Sequence, residues 1–284
     1  MIPLLSGRKL SREGMLVMGI LNVTNDSFFA ESRVAGEKEA IARAVSMARD
    51  GADIIDIGAE STRPGSHGVS EEAERGALLP VVRAVRRELP DIPISVDTRK
   101  AAVAETALEA GADIINDVSG LELPEEADRM ASVTAASGAA YILTHTKGAP
   151  DVMQRNPYYD DPLSEIRDFF REKIALLESF GVSRDSLIID PGIGFGKRVA
   201  DNLAILANLE KFSVFGLPVL IGASRKGFIG AVGGADDGPE SRLGGTLAIT
   251  ALCALSGVSI VRVHDAAPNR RAADMITAIS KHRL

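Results

Sequence analysis

The chain has 284 residues, enough for one large α/β barrel or two smaller domains. A formal net charge of −7 with no Lys/Arg block excludes the basic face that a nucleic-acid binder needs, but not an anionic ligand held by a few local cations. The single cysteine, Cys253 in TLAITALCALSG, cannot form an internal disulfide; it reads as a small buried hydrophobe in a reducing compartment. No signal-peptide core opens the chain and no apolar run could span a bilayer, so a soluble, cytoplasmic protein with no membrane partner is expected.

In chain order, one phrase recurs: a short β-branched run, a polar tip, then a segment of helical period. The expected strands are 16–21, 53–57, 92–96, 113–115, 140–143, 187–189, 218–221 and 259–263. Runs of this kind suit strands buried on both faces of a parallel sheet. Between them, segment 37–50 places Ile41, Ala44, Val45 and Ala48 on one face, and segment 100–110 is rich in Ala and Glu. Segment 162–180 sets Leu163, Ile166, Phe170, Ile174 and Leu177 three and four apart, with Gly181 as its stop. GADIIDIGAE at 51–60 and GADIINDVSG at 111–120 repeat the step from helix end to strand. Segment 71–89 is the weak point, because Pro80 interrupts its helical pattern.

Eight such units predict a (β/α)8 barrel (TIM barrel) as a single domain over residues 1–284, with residues 1–14 closing the barrel bottom. A doubly wound sheet would carry a Gly-rich loop after its first strand, where this chain reads NVTNDS. The long connections 22–36, 60–70 and 225–241 follow strands, on the face where barrels build their sites.

The strand tips hold the chemistry: Asn22, Glu60 to Arg63, Asp97, Asn116 with Asp117, His145, Asp190, Ser224 to Lys226, and Arg262 with His264 in VRVHD. A strand-end Asp or Asn often caps the next helix. Lys226, Arg262 and His264 are not cap types, and a strand does not bury Arg without an anion to meet it. Asp97, Asp190 and Asn116 suit a flat heterocycle rich in N–H groups; Lys226 suits a ring carbonyl or nitrogen. Arg262, His264 and Asn22 suit phosphate, and the SRK and RVH segments sit where barrels hold phosphate. No Ser–His–Asp or Cys–His set is present in the pattern, and no HxH or HExxH pair favours zinc. DPGIGFGK reads as a turn that brings Asp190 and Phe195 to the site; His145 fits a structural or a site role, and His67 and His282 read as surface.

MGILNVT, GAESTRPG, SVDT, IIND, DPGIGFGK, SRK and RVHD follow one another in the order of the dihydropteroate synthases, and the resemblance spans Met18 to Asp265. It implies a (β/α)8 barrel, a homodimer and a transferase of folate biosynthesis that is a sulfonamide target. That enzyme joins 6-hydroxymethyl-7,8-dihydropterin pyrophosphate to 4-aminobenzoate, with Mg2+ accompanying the pyrophosphate. By the resemblance, Asp97, Asn116, Asp190 and Lys226 hold the pterin and Arg262 packs against it. Asn22, Arg262 and His264 attend the pyrophosphate, with Asn22 at the metal; Phe28, Thr62, Arg63, Pro64 and Phe195 form the aminobenzoate site. Asp97, Lys226, Arg262 and His264 carry the catalysis. The loops 22–36 and 60–70 correspond to loops that order over substrate.

The chain departs from the family pattern at Asn25, at Ala30 (where an aspartate is usual, with Glu31 beside it), at His145-Thr146-Lys147-Gly148 and at Gly227. The rival readings are a pterin-binding methyltransferase acting with a corrinoid protein, which has no use for phosphate ligands or the STRPG loop, and a non-catalytic pterin binder.

Overall fold

The computed structural model describes residues 2–5, 9–10, 12–23, 30–60, 68–148, 157–234 and 238–282, with backbone alone for 30–35. A short antiparallel pair, β1 (Ile2–Pro3) and β2 (Lys9–Leu10), precedes the first long strand, β3 (Leu16–Asn22). Then follow α1 (Ala30–Arg49), β4 (Ile54–Gly58), α2 (Glu71–Glu88), β5 (Ile94–Asp97), α3 (Ala101–Glu109), β6 (Ile114–Asp117) and α4 (Pro124–Ser137). The second half runs β7 (Ala140–Thr144), α5 (Pro162–Ser179), β8 (Leu187–Asp190), α6 (Val199–Leu206), β9 (Leu220–Ile221), α7 (Gly227–Gly233), α8 (Leu243–Leu255), β10 (Ile260–Val263) and α9 (Ala266–Ser280).

Eight parallel strands form one sheet in the order β8-β7-β6-β5-β4-β3-β10-β9. A parallel bridge between Ile189 and Val219 joins β9 back to β8 and completes the (β/α)8 ring. Strand alternation splits the apolar residues into two cores. Met18, Ile54, Ile114, Ile142, Ile188, Leu220 and Ile260 fill the lumen, and Ile2, Leu4 and Leu10 of the N-terminal pair pack into the same cluster. The opposite parity, among it Val17, Ile55, Ile57, Val96, Ile115, Leu143, Ile189 and Val261, faces the helical sheath. One alternation rule thus places every second residue of each strand on the barrel axis.

The helices begin and end where local chemistry dictates. Asp161 caps α5 by accepting from Leu163 and Ser164 N–H, and Ser70 caps α2 by accepting from Ala73 N–H at 3.2 Å. Gly51 and Gly111 take φ of +92° and +114° after helix ends, where a side chain would strike Arg270 or Arg86.

Three expectations change. Pro80 does not break α2, which runs from Glu71 to Glu88. A proline removes one backbone bond, and the buried stripe of Leu78, Val81, Val82 and Val85 holds the helix across it. The connection 22–36 is shorter than expected because α1 begins at Ala30, and 225–241 contains α7 and a 3-10 turn at Pro239–Arg242. The seventh barrel strand shrinks to Leu220–Ile221, since Pro218 has no N–H to give the ladder. Among the described residues, no helix is long and apolar enough to cross a membrane.

Candidate active site

Above the apolar lumen the same inward parity turns polar. Parallel register pairs Asp56 with Ser95, Asp97 with Asn116, and Thr144 with Asp190, so these residues line one face of the ring in successive layers. Arg262 of β10 crosses this layer. Its Nε donates to Asp56 Oδ2 at 2.6 Å and its Nη2 donates to Asp97 Oδ2 at 2.6 Å. Asn116 Nδ2 lies 3.3 Å from both Asp56 oxygens. Gly58, in register between Asn22 and Asp97, leaves room here; a Cβ would come within 3.2 Å of Asp97.

Burial drives the electrostatics. It pushes the Asp97 carboxyl up to about 7, with Asp56, Glu74 and Asp117 adding to the rise and Arg262 opposing it. Burial disfavours charge on Arg262 as well, yet Asp56 and Asp97 hold its pKa above the ordinary guanidinium value. Lys226 is lowered to about 8 by burial, with Arg262 adding to the fall and Asp190 and Asp97 opposing it. Burial raises Asp190, against the Gly192 N–H and the Lys226, Lys197 and Arg262 cations.

The DPGIGFGK segment is a tight loop after β8, on the same C-terminal rim. Asp190 accepts from Gly192 N–H at 2.8 Å, Lys226 Nζ donates to the Ile193 carbonyl, and Lys226 Nζ sits 4.2 Å from the Phe195 ring centre. Gly192 has φ of +68°, and a Cβ there would fall 1.9 Å from the His145 carbonyl oxygen. Glycine at this position therefore answers a close approach to the β7 tip, not a phosphate.

Two buried residues of the site escaped sequence reasoning. Asp56 hides in the apolar run IIDIG, where its only signal is a carboxylate in a strand buried on both faces, which demands a partner. Lys197 is only 3% exposed, and its Nζ lies 2.8 Å from His145 Nδ1 and donates to the Phe195 carbonyl at 3.0 Å. Burial lowers the pKa of Lys197 far below the usual ammonium value, helped by Lys226 and Lys147 and opposed by Asp190 and Asp201. Burial, with Lys197 and Lys147, also lowers His145, which packs edge-on to Phe169. His145 is thus a neutral tie between the β7 tip and the Phe195 loop.

The remaining tips separate by partner. Asn22 is exposed at the end of β3. His264 Nδ1 lies 3.1 Å from Ser224 Oγ. Arg225 does not serve as the open phosphate cation that the SRK segment suggested: it grips Asp265 through two bonds of 2.8 Å and also pairs with Glu240. Asp117 faces outward, accepting from Ser119 N–H and from the Tyr141 hydroxyl, and so caps a turn. Asp97 caps nothing, since the residue before α3 is Lys100. Glu60 pairs with Arg99 and Lys100, and Lys100 also pairs with Glu74. Phe28, Thr62, Arg63 and Pro64 lie outside the described residues, as do the side chains of Ala30 and Glu31.

Among the described residues, no three His, Cys, Asp or Glu side chains cluster as a metal cage. The amide oxygen of Asn22 suits magnesium in the mode where substrate phosphates and water supply most ligands.

Comparison with known proteins agrees with this architecture. The family model described as "Pterin binding enzyme" matches residues 18–264. The dihydropteroate synthase of Bacillus subtilis (strain 168) is 44% identical over 94% of this chain and 90% of its own length. A Yersinia pestis dihydropteroate synthase, solved with a sulfonamide drug, superposes with a TM-score of 0.89 at 38% identity, covering 97% of this chain and 98% of that one. A Xanthomonas albilineans dihydropteroate synthase, solved with 4-aminobenzoic acid, gives 0.89 at 37% identity over the whole of both chains. The acceptor-lined lumen, closed by a buried arginine, thus belongs to a member of the pterin-binding enzyme family, on its dihydropteroate synthase branch.

Proposed function

We propose that this enzyme condenses 6-hydroxymethyl-7,8-dihydropterin pyrophosphate with 4-aminobenzoate, releasing pyrophosphate and 7,8-dihydropteroate. The observation that carries the residue roles is the joined group of Asp97, Asn116 and Arg262 in the lumen, facing the Asp190–Lys226 side. A pterin edge presents several N–H groups, and the carboxylates of Asp97 and Asp190 with the Asn116 amide oxygen supply acceptors for them. Lys226 donates to the ring from above, and Arg262 packs against the bicycle.

The arylamine nucleophile is a weak base and arrives neutral, so no strong general base is required. The barrier lies in breaking the C–O bond to pyrophosphate. Positive charge grows on the pterin methylene and negative charge on the leaving group. Asp97 stabilises the first; Arg262, His264 and Asn22 attend the second. Fixed charge of this kind contributes roughly 3–4 kcal/mol per key group. Asn22 would hold Mg2+, which neutralises pyrophosphate charge when bound. Phe195, tied in place by Lys197 and covered by Lys226, offers a ring face to the aminobenzoate. Phe28, Thr62, Arg63 and Pro64 complete that subsite in our reading, and sulfonamides, as arylamine analogues, compete there.

Residues 1–284 act as one barrel domain of a cytoplasmic homodimer. The apolar groove of about 630 Å³ between α6, α7 and α8, lined by Leu203, Phe228, Val232, Ile249 and Leu252, is the surface that the second copy would cover. Val232 is 59% exposed in the single chain. Light scattering on the purified protein checks this, and a monomer at all concentrations would exclude it.

The decisive assay supplies the pterin pyrophosphate, 4-aminobenzoate and Mg2+ and follows pyrophosphate. Release that depends on the arylamine is expected. Pterin binding with no release would point to a methyltransferase or a non-catalytic relative.

A further inference from the structure

Asp56 is the most buried ionisable group of the lumen, with no exposed surface, and nothing in the displacement chemistry calls on it directly. A carboxylate held so deep persists only when its partners satisfy it. Its partners are two residues that face the substrate. One Asp56 oxygen takes Arg262 Nε at 2.6 Å, and both oxygens lie 3.3 Å from Asn116 Nδ2.

We propose that Asp56 is the positioning residue of the heterocycle pocket, fixing which atoms Arg262, Asn116 and Asp97 present to the bound pterin. The inference rests on the synthase reading above and extends it to a residue that never touches substrate. An ionised carboxylate only accepts, so it orients the Asn116 amide nitrogen toward itself. The amide oxygen is then the end that Asn116 offers to a ligand N–H; with the amide reversed, two oxygens would oppose each other. Arg262 is fixed in the same way. With Nε held by Asp56, Nη2 meets a single oxygen of Asp97 at 2.6 Å and leaves the other for the heterocycle. The planar fork makes the two ends of Arg262 move as one.

Asp56 also sets the field at Asp97. The charges that act on Asp97 are Arg262 on β10, bonded to it, Asp56 on β4 in the same lumen layer, and, through space from outside the lumen, Glu74 on α2 and Asp117 on β6, with Lys226 beyond β9 sensing the same carboxylate. The three carboxylates favour the protonated form of Asp97 and Arg262 favours the ionised form. Neutralising Asp56 removes one opposing charge and leaves Arg262 with fewer competitors, so Asp97 ionises at lower pH. A residue that merely filled space would not move that titration.

The test compares the full-length enzyme with Asp56→Asn and Asp56→Glu. KM for each substrate and the pH dependence of kcat/KM are measured. In Asp56→Asn, KM for the pterin pyrophosphate should rise about tenfold or more, as expected when an oriented group is misplaced by a fraction of an ångström. KM for 4-aminobenzoate should stay within about twofold, and the acid limb of kcat/KM should shift to lower pH. Asp56→Glu keeps the charge but moves it by one methylene; the acid limb should stay while the pterin KM rises. Unchanged pterin KM and acid limb in Asp56→Asn would overturn the proposal. If Asp56→Asn does not fold, near-wild-type pterin KM in Asp56→Glu would overturn it. If wild type makes no product, the synthase reading fails separately. Fluorescence titration with 6-hydroxymethylpterin then decides, an unchanged Kd in Asp56→Asn counting against the role.

Discussion

The two ends of the barrel use the same residue types to opposite effect. At the N-terminal end of the strands, Asp53 accepts from Val17 N–H at 2.8 Å and pairs with Arg270 and Arg12 at 2.9 and 3.0 Å. Asp113 accepts from Ile94 N–H at 3.0 Å and pairs with Arg86 at 2.5 Å, while Arg86 also ties down the Gly111 and Ile92 carbonyls. Each carboxylate there meets both a backbone donor and a guanidinium. At the C-terminal end, Asp97 is pushed up to about 7, Lys226 is lowered to about 8, and Lys197 falls far below its ordinary value. Charges at that end are as buried as those below but less well matched. A buried charge short of partners costs stability unless something else completes it. In the proposed function the completing group is substrate, so one end stabilises the fold and the other is poised for a ligand.

That contrast can be broken at either end. The largest effect is expected from Arg262→Ala, which leaves Asp56 and Asp97 facing each other without their shared cation. Its kcat/KM should fall a hundredfold to a thousandfold, the scale of losing a key electrostatic group. Steady-state kinetics reads this directly, and near-wild-type turnover would remove Arg262 from the catalytic set.

Asp113→Ala is the matching lesion below. Breaking a pair this buried should cost about 3 kcal/mol in denaturant unfolding. The kcat/KM of the folded fraction should stay within about twofold of wild type, because the active end keeps its geometry. A large loss of rate at unchanged stability would mean that the ends are coupled.

The pH profile sharpens the comparison without mutation. In the proposed role Asp97 works as a full carboxylate, both as the acceptor from the heterocycle and as the counter-charge to the growing cation, so kcat/KM should rise as pH climbs through about 7. Lys226 keeps its positive charge on the ring only while protonated, so kcat/KM should fall again above about 8. A flat profile across this window would mean that neither group controls substrate capture. The smallest effect belongs to Arg12→Ala, since Arg12 is 38% exposed and Asp53 keeps Arg270. It should change stability by less than about 1 kcal/mol and leave the rate alone.

Much of the site was legible because strand tips are legible. A β-branched run announces the strand, and the first polar residue after it must lie near the rim. Asp97, Asn116 and Asp190 were read that way, Lys226 from the SRK segment after the seventh strand and Arg262 from its place inside VRVHD, and the structure brings all five around one lumen. Asp56, inside its run, gave no such signal: it sits between isoleucines and reads as an interruption. Lys197 follows a glycine turn, where a lysine is normally solvent-exposed; only the fold buries it against His145. Arg225 misled in the other direction, since its chemistry suits phosphate but Asp265, 40 residues away, already holds it.

The sequence by itself determined the repeated strand–helix unit, hence the barrel, and the parity that sends alternate side chains inward. Those follow from periodicity, which is a local property of the chain. Only the tertiary structure decided which charges share a partner. Arg262 stands 206 positions from Asp56 and 165 from Asp97, and ring closure places all three in one layer. Burial there, more than residue type, sets which protons move near neutral pH.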